Sequence, residues 1–233
     1  DKYSTFLLVS GTALRGGYAG LSERDPDARD IDRNLTILSG DLLGNDGPGF
    51  ANYSDNAYRV STGISLAPGS LLEGIRLRSS QIDYSDGLEG GGLYCLRGGI
   101  TIDRCMFETN MAYLGGGIGV EGTNLVITDC EFRTNRSGGG GGIYSWLSPE
   151  GIYPNVQIED CSFVNNNTAW AAGDGAAMQL VANGVVRRCH FQTNVADDGA
   201  LSCGGAMEIL DCVFRGNHAD YGGAARRQGT YTR

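Results

Sequence analysis

CMFETN (105–110), CEFRTN (130–135), CSFVNN (161–166), CHFQTN (189–194) and CVFRGN (212–217) write one phrase, Cys-x-Phe-x-x-Asn, five times. It returns at intervals that vary only modestly from one copy to the next. A phrase recurring at such a period marks stacked repeats, each too small to bury its apolar face alone. Working outward, an apolar residue lies three positions before each cysteine: Ile102, Ile127, Ile158, Val186 and Ile209. Ile100, Leu125, Val156 and Met207 lie five before. Alternation at period two marks strands with one buried face, and no segment reaches helical length.

Further upstream, glycine clusters lead into a short strand at Gly90, Gly115 and Gly140, with looser copies at Gly173 and Asp198. Gly92, Gly117, Gly142 and Gly199 are read as equivalent. All but Gly142 precede their cysteines by the same step, and LSPEGIYP (147–154), an insertion after Trp146, accounts for the exception. A degenerate copy precedes the first clear phrase: Ile75 matches Cys105, Leu72 matches Ile102, Leu77 matches Phe107 and Ser80 matches Asn110. Three strands in about 25 residues, cornered by glycine or asparagine, predict an all-β fold, a single parallel β-helix whose coils stack roughly 4.8 Å apart. Residues 1–70 are expected to form amino-terminal coils with irregular acidic loops, 71–225 the regular repeats, and 226–233 a non-repeat tail.

Stacking in register puts equivalent residues in files. Cys105, Cys130, Cys161, Cys189 and Cys212 form one internal file, and Phe107, Phe132, Phe163, Phe191 and Phe214 another. Asn110, Asn135, Asn166, Asn194 and Asn217 form a ladder at a corner, where each amide can donate to the next coil and where asparagine tolerates left-handed backbone. The thiols read as free core residues, because close pairs such as Cys-x2-Cys are missing. Cys95 and Cys203 are too many coils apart to pair, and the odd total of 7 forbids complete pairing.

A net charge of −9 excludes the basic face that a nucleic acid needs. No apolar run approaches the ~18 residues of a membrane helix. Asp1 reads as the start of a processed or truncated chain.

The glycine clusters together with the Phe-x-x-Asn units, from Gly90 to Ala225, resemble the repeats of the chlamydial polymorphic outer-membrane proteins. They also resemble bacterial right-handed β-helix surface proteins of pectin-lyase-like fold, common in planctomycetes. Residues 14–20, 24–26 and 36–41 are similar to the amino-terminal part of such proteins. The resemblance implies a right-handed coil and a secreted or cell-surface bacterial location.

Three places could carry chemistry. Asp41, Asn45 and Asp46 put oxygen ligands on a glycine-rich loop that could hold Ca²⁺, with ordinary turn chemistry as the alternative. Asp197, Asp198, His218 and Asp220 follow the asparagine file in successive coils and could pair carboxylates as glycosidases do, with solvated turns as the alternative. Arg187, Arg188 and His190 could provide the basic group of a lyase, but alternation points the two arginines to opposite faces. The sequons at Asn34, Asn52, Asn135 and Asn166 are taken as coincidence, two of them being ladder residues. The expected function is an extracellular structural or adhesin-like module, without catalysis, that could associate end to end into filaments. The competing expectation is a polysaccharide-binding module, lyase or glycoside hydrolase.

Overall fold

The computed structural model describes residues 1–21, 23–168, 174–220 and 223–228. Every ladder between its strands is parallel, and the strands form three sheets wound as successive coils. The first sheet has thirteen strands and two arms. One arm runs from Phe6–Leu8 through Ser61–Leu66, Ile143–Trp146, Met178–Val181 and Leu201–Gly204 to Ala225–Gln228. The other carries Ala13–Arg15, Leu71–Glu73, Asn155–Glu159, Asn183–Arg187 and Met207–Leu210. Leu93–Asp103 and Ile118–Thr128 run through both arms. Seven short strands, from Thr36–Ser39 to Val213–Arg215, make the second sheet. Four two-residue strands, Arg136–Ser137, Asn167–Thr168, Val195–Ala196 and His218–Ala219, make the third.

The degenerate copy is in the register expected for it. Leu72 pairs with Ile102 and Leu77 with Phe107, while the Ser80 amide donates to Asn110 Oδ1. The strand Ala225–Gln228 pairs with Leu201–Gly204, so the ladder continues past position 225 to Gln228. Residues 229–233 of the expected tail lie outside the described residues.

Side chains inside the coil build the files. Phe107, Phe132, Phe163, Phe191 and Phe214 stack with centroids 5.0, 4.6, 5.1 and 4.6 Å apart and near-parallel planes. Such aromatic pairs contribute roughly 0.5–1.5 kcal/mol each beyond their buried area. Beside them the cysteines of the file are free thiols, buried except for half-buried Cys212. Each donates to the carbonyl two residues back: Cys105 to Asp103, Cys130 to Thr128, Cys161 to Glu159, Cys189 to Arg187 and Cys212 to Leu210. Burial pushes the Cys95 thiol up to about 12 and raises Cys130.

The asparagine file is bonded three times per step. Asn135 Nδ2 donates to Phe107 O at 2.8 Å, and its Oδ1 accepts from both the amide and Nδ2 of Asn110. The same pattern repeats at Asn166, Asn194 and Asn217. The left-handed residue of this corner is the one before the asparagine: Thr109, Thr134, Asn165, Thr193 and Gly216. That corrects the expectation that the ladder asparagine itself takes this conformation; its side chain is committed to the ladder instead. A second left-handed corner sits just before each cysteine, at Arg104, Asp129, Asp160, Arg188 and Asp211. The third corner uses a glycine at Gly90, Gly115, Gly140, Gly175 and Gly199. A Cβ on Gly115 would lie 2.2 Å from Ile118 O, so no other residue fits. Gly199 is therefore the partner of Gly115 and Gly140; Ala200, which precedes Leu201, is the residue in register with Gly117 and Gly142.

Candidate functional site

Outward side chains of the first sheet fall into two rows. Tyr94, Gly119, Tyr144, Gln179 and Ser202 are in register along one. Leu96, Glu121 and Trp146 are in register along the next. Gly119 leaves a notch between two tyrosines, and the loop ending at Gly90 drops into it. A Cβ on Gly119 would lie 2.5 Å from Gly90 N and 3.1 Å from Glu89 Cβ. The missing side chain thus positions Glu89 over the sheet. Arg59 secures the same loop: its Nε donates to Glu89 O at 2.8 Å, and its guanidinium lies 4.1 Å above the Tyr94 ring.

Glu89 Oε2 is buried without a partner among the described residues. Burial pushes this carboxyl up to about 7, Glu121 adds to the shift, and Arg59 opposes it. Tyr144 stacks on Trp146 at 6.0 Å with 6° between planes, and its phenol is raised by burial and by Glu89, Tyr113 and Glu121. Trp146 is 42% exposed. Beyond it, the inserted segment 147–154 is held by the Arg97–Glu150 ion pair at 2.7 Å and exposes Ile152 and Tyr153. The opposite edge carries Glu89 and Asp174, the latter accepting from Gln179 Nε2 at 3.2 Å. The result is a sheet face on which Trp146 stands exposed beside Tyr144 and in register with Glu121.

The pH dependence of Glu89 has a definite sign. A carboxyl whose folded pKa is raised keeps a proton that the unfolded chain has released. Its contribution to stability is complete below the ordinary value of 4.5 and lost as pH climbs to about 7. We expect the unfolding free energy to fall by on the order of 2 kcal/mol across that window, after allowance for partial exposure. Glu89→Gln should flatten this part of the curve, as read by denaturant melts across the pH range.

Asp198 forms a bridge with Asp174 and so joins the acidic edge. Asp197 and Asp220 follow the paired residues Ala196 and Ala219, and His218 pairs with Val195. Asp198 therefore belongs to a different row from Asp220 and His218. Arg187 and Arg188 do not diverge as alternation predicted. Arg188 is left-handed, and both guanidinium groups reach Glu159, at 2.7 and 3.0 Å, with Arg188 also bonding Asp160 at 2.7 Å. His190 is exposed, between Ser162 and Val213 in register. Asn135 and Asn166 are buried, which seals two of the four sequons, while Asn52 is exposed.

Asp41 accepts backbone amides on both oxygens, from Gly44 and Asn45 at Oδ1 and from Asp46 at Oδ2. Burial raises its carboxyl, but those amides outweigh it and hold the group below its ordinary value. Among the described residues, no three of His, Cys, Asp and Glu gather as a metal site.

A cleft of about 580 Å³, lined by Arg29, Arg76, Arg104, Asp129 and Glu131, lies elsewhere. Beside it Glu73 is buried and bonded by Arg15, Arg29 and Arg104. Burial raises the Glu73 carboxyl, but the three guanidinium groups outweigh it and lower it. Arg29 also donates to Gly16 O at 2.8 Å, so the cluster ties the loop after Gly16 onto the coil above.

Residues 61–231 match the family model described as "Right handed beta helix region". The chain belongs to that family, and its three parallel sheets are those of a right-handed β-helix. No curated protein and no solved structure matches it. Neither Glu89 nor Glu121 belongs to the repeated phrase; the one cue in sequence is glycine at 119 where the flanking coils carry Tyr94 and Tyr144.

Proposed function

We propose that this chain is an extracellular, adhesin-like β-helix module that binds polysaccharide on the face of its first sheet that carries Trp146. The observation that carries the reading is the exposed Trp146 ring backed by Tyr144 and flanked by Glu121. Aromatic faces stack on the apolar faces of sugar rings, and carboxylates bond their hydroxyls. The nearby acidic groups Glu121 and Glu89 disfavour uronate polymers and favour neutral or amino-bearing sugars. In co-sedimentation with insoluble cellulose, chitin and chitosan, the chain is expected to pellet with at least one of them. Trp146→Ala should weaken that binding about tenfold, the loss of a stacking contact worth about 1.4 kcal/mol. Retention of full affinity by this variant, or no binding to any of the three, would overturn the proposal.

Glycoside hydrolysis is a second reading, favoured by one observation: a carboxyl held at about 7 beside a second carboxylate, as an acid and its partner require. Release of reducing ends from a bound polymer, abolished by Glu121→Gln, would replace binding alone as the function.

A further inference from the structure

The five thiols of the cysteine file repeat one pose. Each donates to the carbonyl two residues back, at 3.0 to 3.3 Å. Each also reaches a carbonyl of the coil before: Cys105 that of Leu72, Cys130 of Ile102, Cys161 of Ile127, Cys189 of Ile158 and Cys212 of Val186, at 3.5 to 3.9 Å. A pose copied from coil to coil sets neighbouring sulfurs one coil step apart, about 4.8 Å. The ring centroids of the phenylalanine file, two residues further on, record that step as 5.0, 4.6, 5.1 and 4.6 Å. Sulfur therefore faces sulfur: Cys130 lies against Cys105 and Cys161, and Cys189 against Cys161 and Cys212.

That spacing far exceeds a disulfide bond of about 2.05 Å. It suits a single ion held in line between two sulfurs, because two metal–thiolate bonds of about 2.3 Å span about 4.6 Å. Amides are already aimed at the sulfurs. Cys105 N donates to Cys130 Sγ at 3.3 Å, and the amides of Cys130, Cys161 and Cys189 make the same contact with the sulfur one coil on. Such donors favour a thiolate over a thiol.

We propose that the cysteine file binds Cu(I), each ion bridging the sulfurs of two adjacent coils. Thiolates select soft ions, and Cu(I) accepts two of them in a straight line. Zinc takes four ligands in a tetrahedron, which a single file of sulfurs does not offer. The binding step balances as two thiols and one Cu(I) giving an S–Cu–S anion and two protons, so uptake strengthens as pH rises. The negative charge that remains sits on sulfurs that accept the amides. Cys212, the half-buried member, is where an ion meets the file. Five sulfurs used two at a time hold two ions and leave one sulfur over. Cys95 and Cys203 stand outside the file: Cys95 is in register with Gly63 and Val120, and Cys203 with Leu180.

The test uses the full chain, reduced and anaerobic, with Cu(I) as the probe and the bound metal counted after gel filtration. Two ions per chain are expected, and X-ray absorption should show two sulfur neighbours in line around each. The position of a substitution in the file decides its effect. Cys130→Ala and Cys189→Ala each leave a run of three sulfurs and a lone one, so uptake should drop from two ions to one. Cys161→Ala leaves two pairs, Cys105 with Cys130 and Cys189 with Cys212, and should keep both ions, as should Cys95→Ala. Cys161 is as buried as Cys130 and Cys189, so its variant also controls for damage to the core. Wild-type protein that takes up no Cu(I) overturns the proposal, as does a shell of three or four sulfurs, or an equal loss at Cys161 and Cys130. Where a variant fails to fold, the wild-type count and absorption spectrum decide the matter.

Discussion

Asn135→Ala is expected to lower the unfolding free energy by about 4 kcal/mol, one of the two largest losses available in this chain. The side chain is fully buried and serves both neighbouring coils. Its Oδ1 accepts from Asn110 N and Asn110 Nδ2, at 3.1 and 3.2 Å, and its Nδ2 donates to Phe107 O and Asn166 Oδ1, at 2.8 and 3.1 Å. Alanine leaves these groups facing a dry cavity. Each buried group deprived of its partner costs roughly 1–3 kcal/mol, and relaxation recovers some of the sum. Denaturant melts followed by circular dichroism would measure it. A loss below about 1 kcal/mol would mean that water enters the corner and replaces the amide.

Phe163→Ala should cost about 3–5 kcal/mol by the same measurement. The ring is fully buried and stacked on both faces, against Phe132 at 4.6 Å and Phe191 at 5.1 Å. Coils cannot close on the gap, because the strands on either side are fixed by ladders on both flanks. Phe214 is half-buried and, among the described residues, stacks on Phe191 only, so Phe214→Ala should cost markedly less. Equal effects at the two positions would show that stability is shared along the whole file rather than set by nearest-neighbour coils.

The interior is legible in the sequence because stacking in register demands the same residue at the same step. Even Ser80, with no asparagine to announce it, is placed correctly by its offset from Asn110. Errors arise where backbone conformation overrides alternation. Strict alternation sends Arg187 and Arg188 to opposite faces, whereas the left-handed turn at Arg188 brings both onto Glu159. Gly199 aligns one position off, since the turn glycine and the glycines after it look alike in sequence. The surroundings of Glu89 and Trp146 are hardly legible. Glu89 comes to the sheet from a loop with no repeated spacing, and its neighbours Arg59 and Glu121 each lie about one coil away along the chain, on opposite sides of it.

The two left-handed corners flanking each Cys-x-Phe unit have a consequence for where this fold can change. Their separation is the same in every coil: Arg104 to Thr109, Asp129 to Thr134, Asp160 to Asn165, Arg188 to Thr193 and Asp211 to Gly216. That interval is as rigid as a gear tooth, so all variation in the repeat period falls outside it. In these five coils the inserted segment 147–154 enters outside that interval, on the flank of Trp146. One side of the molecule keeps the count, which leaves the other free to acquire new surfaces without disturbing the winding.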